Sequence, residues 1–236
     1  MLAAMESTAA QDMRDRLLDI YRRLLAHCGP QHWWPGESAV EVVIGAILTQ
    51  STNWVNVDKA LDNLKRAAVL NPEGLAALSV ERLAELIRPS GYYRQKARKV
   101  RAFLDVLVNE YDGDLNRLLA LEVAALRRLL LAVHGIGPET ADSIILYAAG
   151  KPVFVVDAYT RRIFARLGLC PPVGRYEHLQ ALFMDHLPPD VPLFNEFHAL
   201  LVRLGKDVCR KRQPRCAACP LRDTCPTARQ YEVEGS

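Results

Sequence analysis

Four of the six cysteines in this 236-residue chain crowd near its C-terminal end, with the spacing Cys209-x6-Cys216-x2-Cys219-x5-Cys225. Four thiols that share one partner close the chain into a loop of fixed size, so no other feature restricts the fold as tightly. The N-terminus carries no apolar stretch of the kind that directs secretion, and a cysteine cluster in such a chain is expected to bind metal and not to form disulfides. Zinc and an iron-sulfur cluster are both open to four thiolates. Structural zinc sites usually carry two Cys-x2-Cys pairs, whereas this segment carries one. Cys28 and Cys170 stand apart and read as ordinary buried thiols.

The chain is half hydrophobic and a quarter charged, enough to bury one substantial core or two modest ones without disulfides. Its Ala- and Leu-rich stretches are broken by Arg, Glu or Asp every few residues, which excludes a membrane span and predicts a cytoplasmic protein. A net charge of +3 decides little. Its distribution says more: Arg203, Lys206, Arg210, Lys211, Arg212, Arg215 and Arg222 face only Asp207 in one short stretch, a concentration suited to phosphates.

Apolar residues recur at three and four spacing over 13–25, 40–64, 80–87, 95–108, 123–133, 139–149, 158–167, 176–187 and 194–206, which predicts an all-α protein. Turn residues punctuate these stretches at Asn71-Pro72-Glu73-Gly74, Arg88-Pro89-Ser90-Gly91, Cys170-Pro171-Pro172 and Pro188-Pro189. The β-branched and aromatic run 153–156 reads as a buried extended connector leading into Asp157. The residues after Pro226 read as a loose tail.

The run 129–142, Leu-Leu-Leu-Ala-Val-His-Gly-Ile-Gly-Pro-Glu-Thr-Ala-Asp, stops one amphipathic helix at a glycine and starts another at a proline. Gly135 and Gly137 permit a tight backbone, and Pro138 suits a first helical position that needs no N–H. The free amides of such a turn can seat a phosphate without reading a base. By itself a Gly-x-Gly turn is also a plain helical hairpin.

The full run resembles the helix-hairpin-helix motif of the endonuclease III superfamily of DNA glycosylases, with Gly135, Ile136, Gly137 and Thr140 as the DNA-gripping positions. The cysteine spacing resembles the [4Fe-4S] loop of the same superfamily, which makes Cys209, Cys216, Cys219 and Cys225 the cluster ligands and turns Arg210, Lys211 and Arg212 toward DNA. The resemblance covers the chain from about Leu17 to Cys225. It implies a two-domain helix-hairpin-helix fold: a helical barrel over 37–150, and a second helical domain from 1–36 plus 151–236 with the cluster loop at 209–225, flanking a DNA cleft. It further implies a monomer acting on double-stranded DNA that contains a damaged base.

Asp157 occupies the place of the superfamily's catalytic aspartate. Cleaving an N-glycosidic bond builds positive charge on the sugar, which a nearby carboxylate stabilises while it orients the attacking water. Asp157 also precedes a helix and can serve as its cap. Bifunctional members carry a lysine two residues after the second hairpin glycine, where it forms an imine. Here that residue is Glu139, so the resemblance implies a glycosylase without strand cleavage.

The segment Leu48-Thr49-Gln50 resembles the family motif whose glutamine fills the gap left by a flipped base. All three tryptophans, Trp33, Trp34 and Trp54, lie close to it in sequence. Together with Pro35, Glu139 and 197–200 they resemble the endonuclease III-like 3-methyladenine glycosylases, although the characterised members of that subfamily lack the cysteines. Alkylated purines are electron-poor and stack on aromatic faces. Trp33, Trp34, Trp54, Glu139, His198 and Lys206 are therefore the base-pocket candidates. A thymine or uracil mismatch glycosylase is the competing reading. Adenine excision ranks lower, because Gly45 stands where adenine glycosylases carry a glutamate, and a non-catalytic lesion binder has no use for Asp157.

Overall fold

The computed structural model describes residues 2–34 and 36–234; Pro35 of the tryptophan-rich run lies outside them. The described residues form helices joined by short connections, with no strand among them. In chain order these are α1 (Leu2–Cys28), α2 (Ala39–Leu48), α3 (Trp54–Arg66), α4 (Pro72–Ala77), α5 (Val80–Leu86) and α6 (Tyr93–Tyr111). They continue as α7 (Leu115–Leu119), α8 (Val123–Ala132), α9 (Pro138–Ser143), α10 (Ala158–Arg166), α11 (Tyr176–Met184), α12 (Val191–Asp207) and α13 (Pro226–Glu234). No helix of the described residues is long and apolar enough to cross a membrane. The chain divides into two compact units, Trp34–Lys151 and the combination of Met1–Trp33 with Pro152–Ser236.

In the central unit, α2 is buried along nearly its whole length, from Glu41 to Leu48. It packs against α3, α6 and the segment that follows α9. The single helix expected over 40–64 is interrupted. Ser51 takes a left-handed φ of 55°, and the Asn53 side chain accepts a hydrogen bond from the Asn56 amide at 3.1 Å, capping a new helix. A polar side chain that satisfies an orphan amide competes directly with continuation of the helix. The same chemistry corrects the reading of 71–74 as a simple turn: Asn71 accepts from the Gly74 amide at 2.8 Å and Pro72 opens α4.

The helix expected over 139–149 is also divided. It is α-helical only as far as Ser143, and Ile144–Ala148 forms a π turn, closed by the Ala149 amide donating to the Ile144 carbonyl at 3.0 Å.

The other unit is built on α12, against which α1 and α10 pack. The connector 153–156 is fully buried, with Phe154 stacked on Phe183 at 3.7 Å and edge-on to Phe194 and Phe197. Side chains of α11 supply what a neighbouring strand would otherwise provide. Gln180 donates to the Phe154 carbonyl at 2.8 Å, the Phe154 amide donates to Met184 Sδ at 3.3 Å, and the Val156 amide donates to the Tyr176 hydroxyl at 3.3 Å.

Two expectations are corrected in this unit. Residues after Pro226 form α13, with Ala228 buried and the Thr227 hydroxyl donating to the Arg166 carbonyl at 2.9 Å. Cys28 and Cys170 are half-buried, and burial raises both thiols above their ordinary value.

Phe154→Ala removes the ring at the centre of this aromatic core and is expected to destabilise the protein by about 3–5 kcal/mol, read from urea unfolding midpoints.

Candidate active site and nucleic-acid interface

The hairpin lies wholly within the central unit. Helix α8 ends at Ala132, Gly135 turns with φ of 82°, Ile136 is buried, and Gly137 leads into Pro138 at the start of α9. A partly buried ion pair braces its two arms. Arg127 Nε and Nη2 donate to the two oxygens of Asp142 at 2.7 and 3.1 Å, and the Asp142 side chain is fully buried. A bidentate pair of this kind fixes angle as well as distance.

The turn is also braced by Gln50 and Lys99. Gln50 Nε2 donates to the Gly135 carbonyl at 3.1 Å and to the Thr140 hydroxyl at 3.0 Å, while its Oε1 accepts from Lys99 Nζ. The Lys99 chain crosses so close to Gly135 that an added Cβ would lie 2.4 Å from Lys99 Cγ. Gly135 is thus needed for its backbone angle and for this approach. One turn earlier in α6, the buried Lys96 ammonium donates to the Leu48 and Ser90 carbonyls at 2.8 and 2.6 Å, and burial lowers its pKa to about 8.

Trp34 and Trp54 meet in this unit, edge to face at 4.8 Å, and Trp34 packs on Tyr147 at 5.0 Å. Rings so close leave no room for a base between them, so they form a platform and not a sandwich. Beneath them lies Gly45, whose added Cβ would sit 3.4 Å from both Trp34 Cζ2 and Trp54 Cη2. A glutamate at position 45 would have to displace an indole. Trp33, grouped with these rings by sequence, belongs to the other unit, and Glu139 is exposed in the first turn of α9.

Sequence reasoning missed three residues here. Tyr147 is carried by the π turn, whose register no period reveals. Lys99 reads as a solvated face of α6. Tyr92 is 69% exposed with a left-handed φ of 45° at the start of α6, a strained aromatic that the neighbouring Gly91 could have flagged.

In the other unit, Asp157 caps α10. Its Oδ1 accepts from the Thr160 amide at 2.7 Å and from the Thr160 hydroxyl at 2.9 Å. The second oxygen lies 3.8 Å from His198 Nε2, and the carboxylate side chain keeps 12% of its surface accessible. His198, a base-pocket candidate from the sequence, lies buried against this acid. Burial holds the imidazole below its ordinary value against the opposing pull of Asp157. Lys206 is exposed in the last turn of α12.

Cys209, Cys216, Cys219 and Cys225 line one small cavity together with Arg166. Arg166 Nη1 donates to Cys209 Sγ at 3.2 Å and to the Arg210 carbonyl at 2.8 Å, and Nη2 donates to the Lys211 carbonyl at 3.3 Å. Arg162 holds the Cys209 and Gly205 carbonyls at 2.9 and 2.8 Å. Burial, and then the neighbouring cysteines, raise the Cys219 thiol to about 11. Among the described residues, no three His, Cys, Asp or Glu side chains converge closely enough to hold a single metal ion. Of the basic residues beside them, Lys211 and Arg212 are exposed and Arg210 is half-buried.

A braced hairpin, an acid capping a helix and a four-thiol loop are the features expected of the helix-hairpin-helix class of DNA repair glycosylases. The family model for HhH-GPD superfamily base excision DNA repair proteins matches residues 44–189, and the chain belongs to that superfamily. A Methanocaldococcus jannaschii protein assigned to the DNA repair glycosylases is 40% identical over 89% of this chain and 96% of its own length. The structure of a non-covalent endonuclease III–DNA complex superposes with a TM-score of 0.79 at 23% identity, covering 95% of this chain and 98% of that one. The H. pylori 3-methyladenine DNA glycosylase bound to 1,N6-ethenoadenine superposes with a TM-score of 0.67 at 30% identity, covering 84% and 97%.

Because the folded protein binds the His198 proton less tightly than the unfolded chain, stability rises with pH up to the ordinary histidine pKa and falls as acid is added below about 6.5. His198→Gln is expected to flatten that loss between about pH 6.5 and 5, measured by chemical denaturation at each pH.

Proposed function

We propose that this protein is a monofunctional DNA glycosylase that removes an alkylated purine, such as 3-methyladenine or 7-methylguanine, by hydrolysis. The observation that carries the reading is the platform of Trp34, Trp54 and Tyr147 over Gly45. Alkylation leaves a purine cationic, and a cation gains from an aromatic face what a neutral base does not. The 30% identity to a glycosylase whose name specifies 3-methyladenine supports the same class of substrate.

Asp157 acts as the catalytic carboxylate. Its Oδ1 is committed to the helix cap, which leaves Oδ2 to stabilise charge at the sugar C1′ and to orient a water. The hairpin turn seats a phosphate through its amides, Gln50 and the exposed Tyr92 act at the gap left by the flipped base, and Lys211 and Arg212 meet the backbone electrostatically. Trp33, Glu139 and Lys206 are the remaining pocket candidates. The protein acts as a monomer on double-stranded DNA.

The four cysteines hold a [4Fe-4S] cluster, a reading supported by their shared cavity and by a spacing that contains a single Cys-x2-Cys pair. The cluster supplies a rigid four-point tether and no step of the base release. Metal analysis of the purified protein is expected to find iron and acid-labile sulfide in equal amounts, without zinc; zinc alone would overturn the assignment.

Alkylated duplex incubated with the protein is expected to release free methylpurine, with release falling by at least about 10²-fold in Asp157→Asn. Binding without release, or release of thymine from mismatches in preference, would sink the proposal. Borohydride added with abasic DNA should trap no covalent complex, since Glu139 forms no imine.

A further inference from the structure

Gln50 carries a role in the proposed function, yet its side chain is already committed within the central unit. Its amide orientation is set by chemistry: an ammonium can only donate, so Oε1 must face Lys99, and a carbonyl can only accept, so Nε2 must face Gly135. Lys99 also packs its alkyl chain on Gly135, where no side chain larger than hydrogen fits. The lysine thus touches both ends of the link between the 49–53 turn and the hairpin. Lys96, on the same helix, holds the carbonyl of Leu48 just before that turn.

We infer that Lys99 is a positioning residue that locks the Gln50 amide onto the hairpin turn, so that the glutamine at the base gap and the loop at the phosphate move as one body. The inference rests on the reading of Gln50 and the hairpin as DNA contacts. Phosphate binding at the turn then fixes where Gln50 stands, and a lesion is opened only in that register. Lys99 acts through Gln50 and not on the DNA.

A double-mutant cycle tests this, using a duplex with 2-aminopurine beside an abasic-site analogue, whose fluorescence rises as the base unstacks. Lys99→Met keeps the alkyl contact with Gly135 and removes the donor. It is expected to lower the flipped fraction about tenfold, as Gln50→Ala does, and the double variant should be no worse than Gln50→Ala alone. Affinity for undamaged duplex and its salt slope should stay at the wild-type values, and Lys99→Arg should restore part of the signal. Wild-type flipping in Lys99→Met, or effects that multiply in the double variant, would overturn the inference. A salt slope reduced by about one would overturn it too, because Lys99 would then be a phosphate ligand. If Gln50→Ala flips normally, the reading of Gln50 fails and the inference with it; if only Lys99→Met flips normally, the inference fails alone. Should Lys99→Met not fold, by its melting curve, Lys99→Gln takes its place in the cycle.

Discussion

One carboxylate oxygen sets the junction between the buried connector and the helix that reaches the cysteine loop. Oδ1 of Asp157 takes the Thr160 amide and hydroxyl, and that cap decides where the buried connector 153–156 ends and α10 begins. Helix α10 then carries Arg162 and Arg166 to the carbonyls of the cysteine loop. A shift of the cap would move the acid, the helix and the loop together. The cap occupies one oxygen only, which leaves Oδ2 turned toward His198 and outside the helix cap.

The central unit relies on a partly buried ion pair. The turn is held by Asp142 and Arg127 between the arms and by Gln50 at the turn itself. Removing Arg127 would leave the fully buried Asp142 carboxylate without its cationic partner, which explains why so short a hairpin tolerates an aspartate at its core.

Much of this was legible in the sequence, and the rest was hidden for physical reasons. The all-α class followed from periodicity, and the hairpin from two glycines and a proline. The family followed from those residues with the cysteine spacing. The break at Asn53 was obscured because apolar period runs straight across a cap that depends on one side chain, and the turn read at 71–74 hid the short helix α4 that Asn71 caps. The tail after Pro226 carries little apolar pattern and becomes α13, tied to the rest through Thr227. His198 and Lys206 share a helical face in sequence, but one is buried against Asp157 and the other is exposed, which periodicity cannot distinguish. Trp34 and Trp54 were grouped correctly by proximity, whereas Tyr147 lies far away in sequence and reaches them only through the chain's path.

That path depends on the π turn at 144–148. A π turn is in effect an α-helix with one residue too many, and each residue of an α-helix advances the side chains by about 100°. The third ring of the platform thus owes its place to a register offset and not to its own identity. A homologue shorter by a single residue in this segment would swing the aromatic away from Trp34 while keeping every tryptophan. A deletion there breaks the aromatic cluster and leaves no substitution among its rings to mark the change.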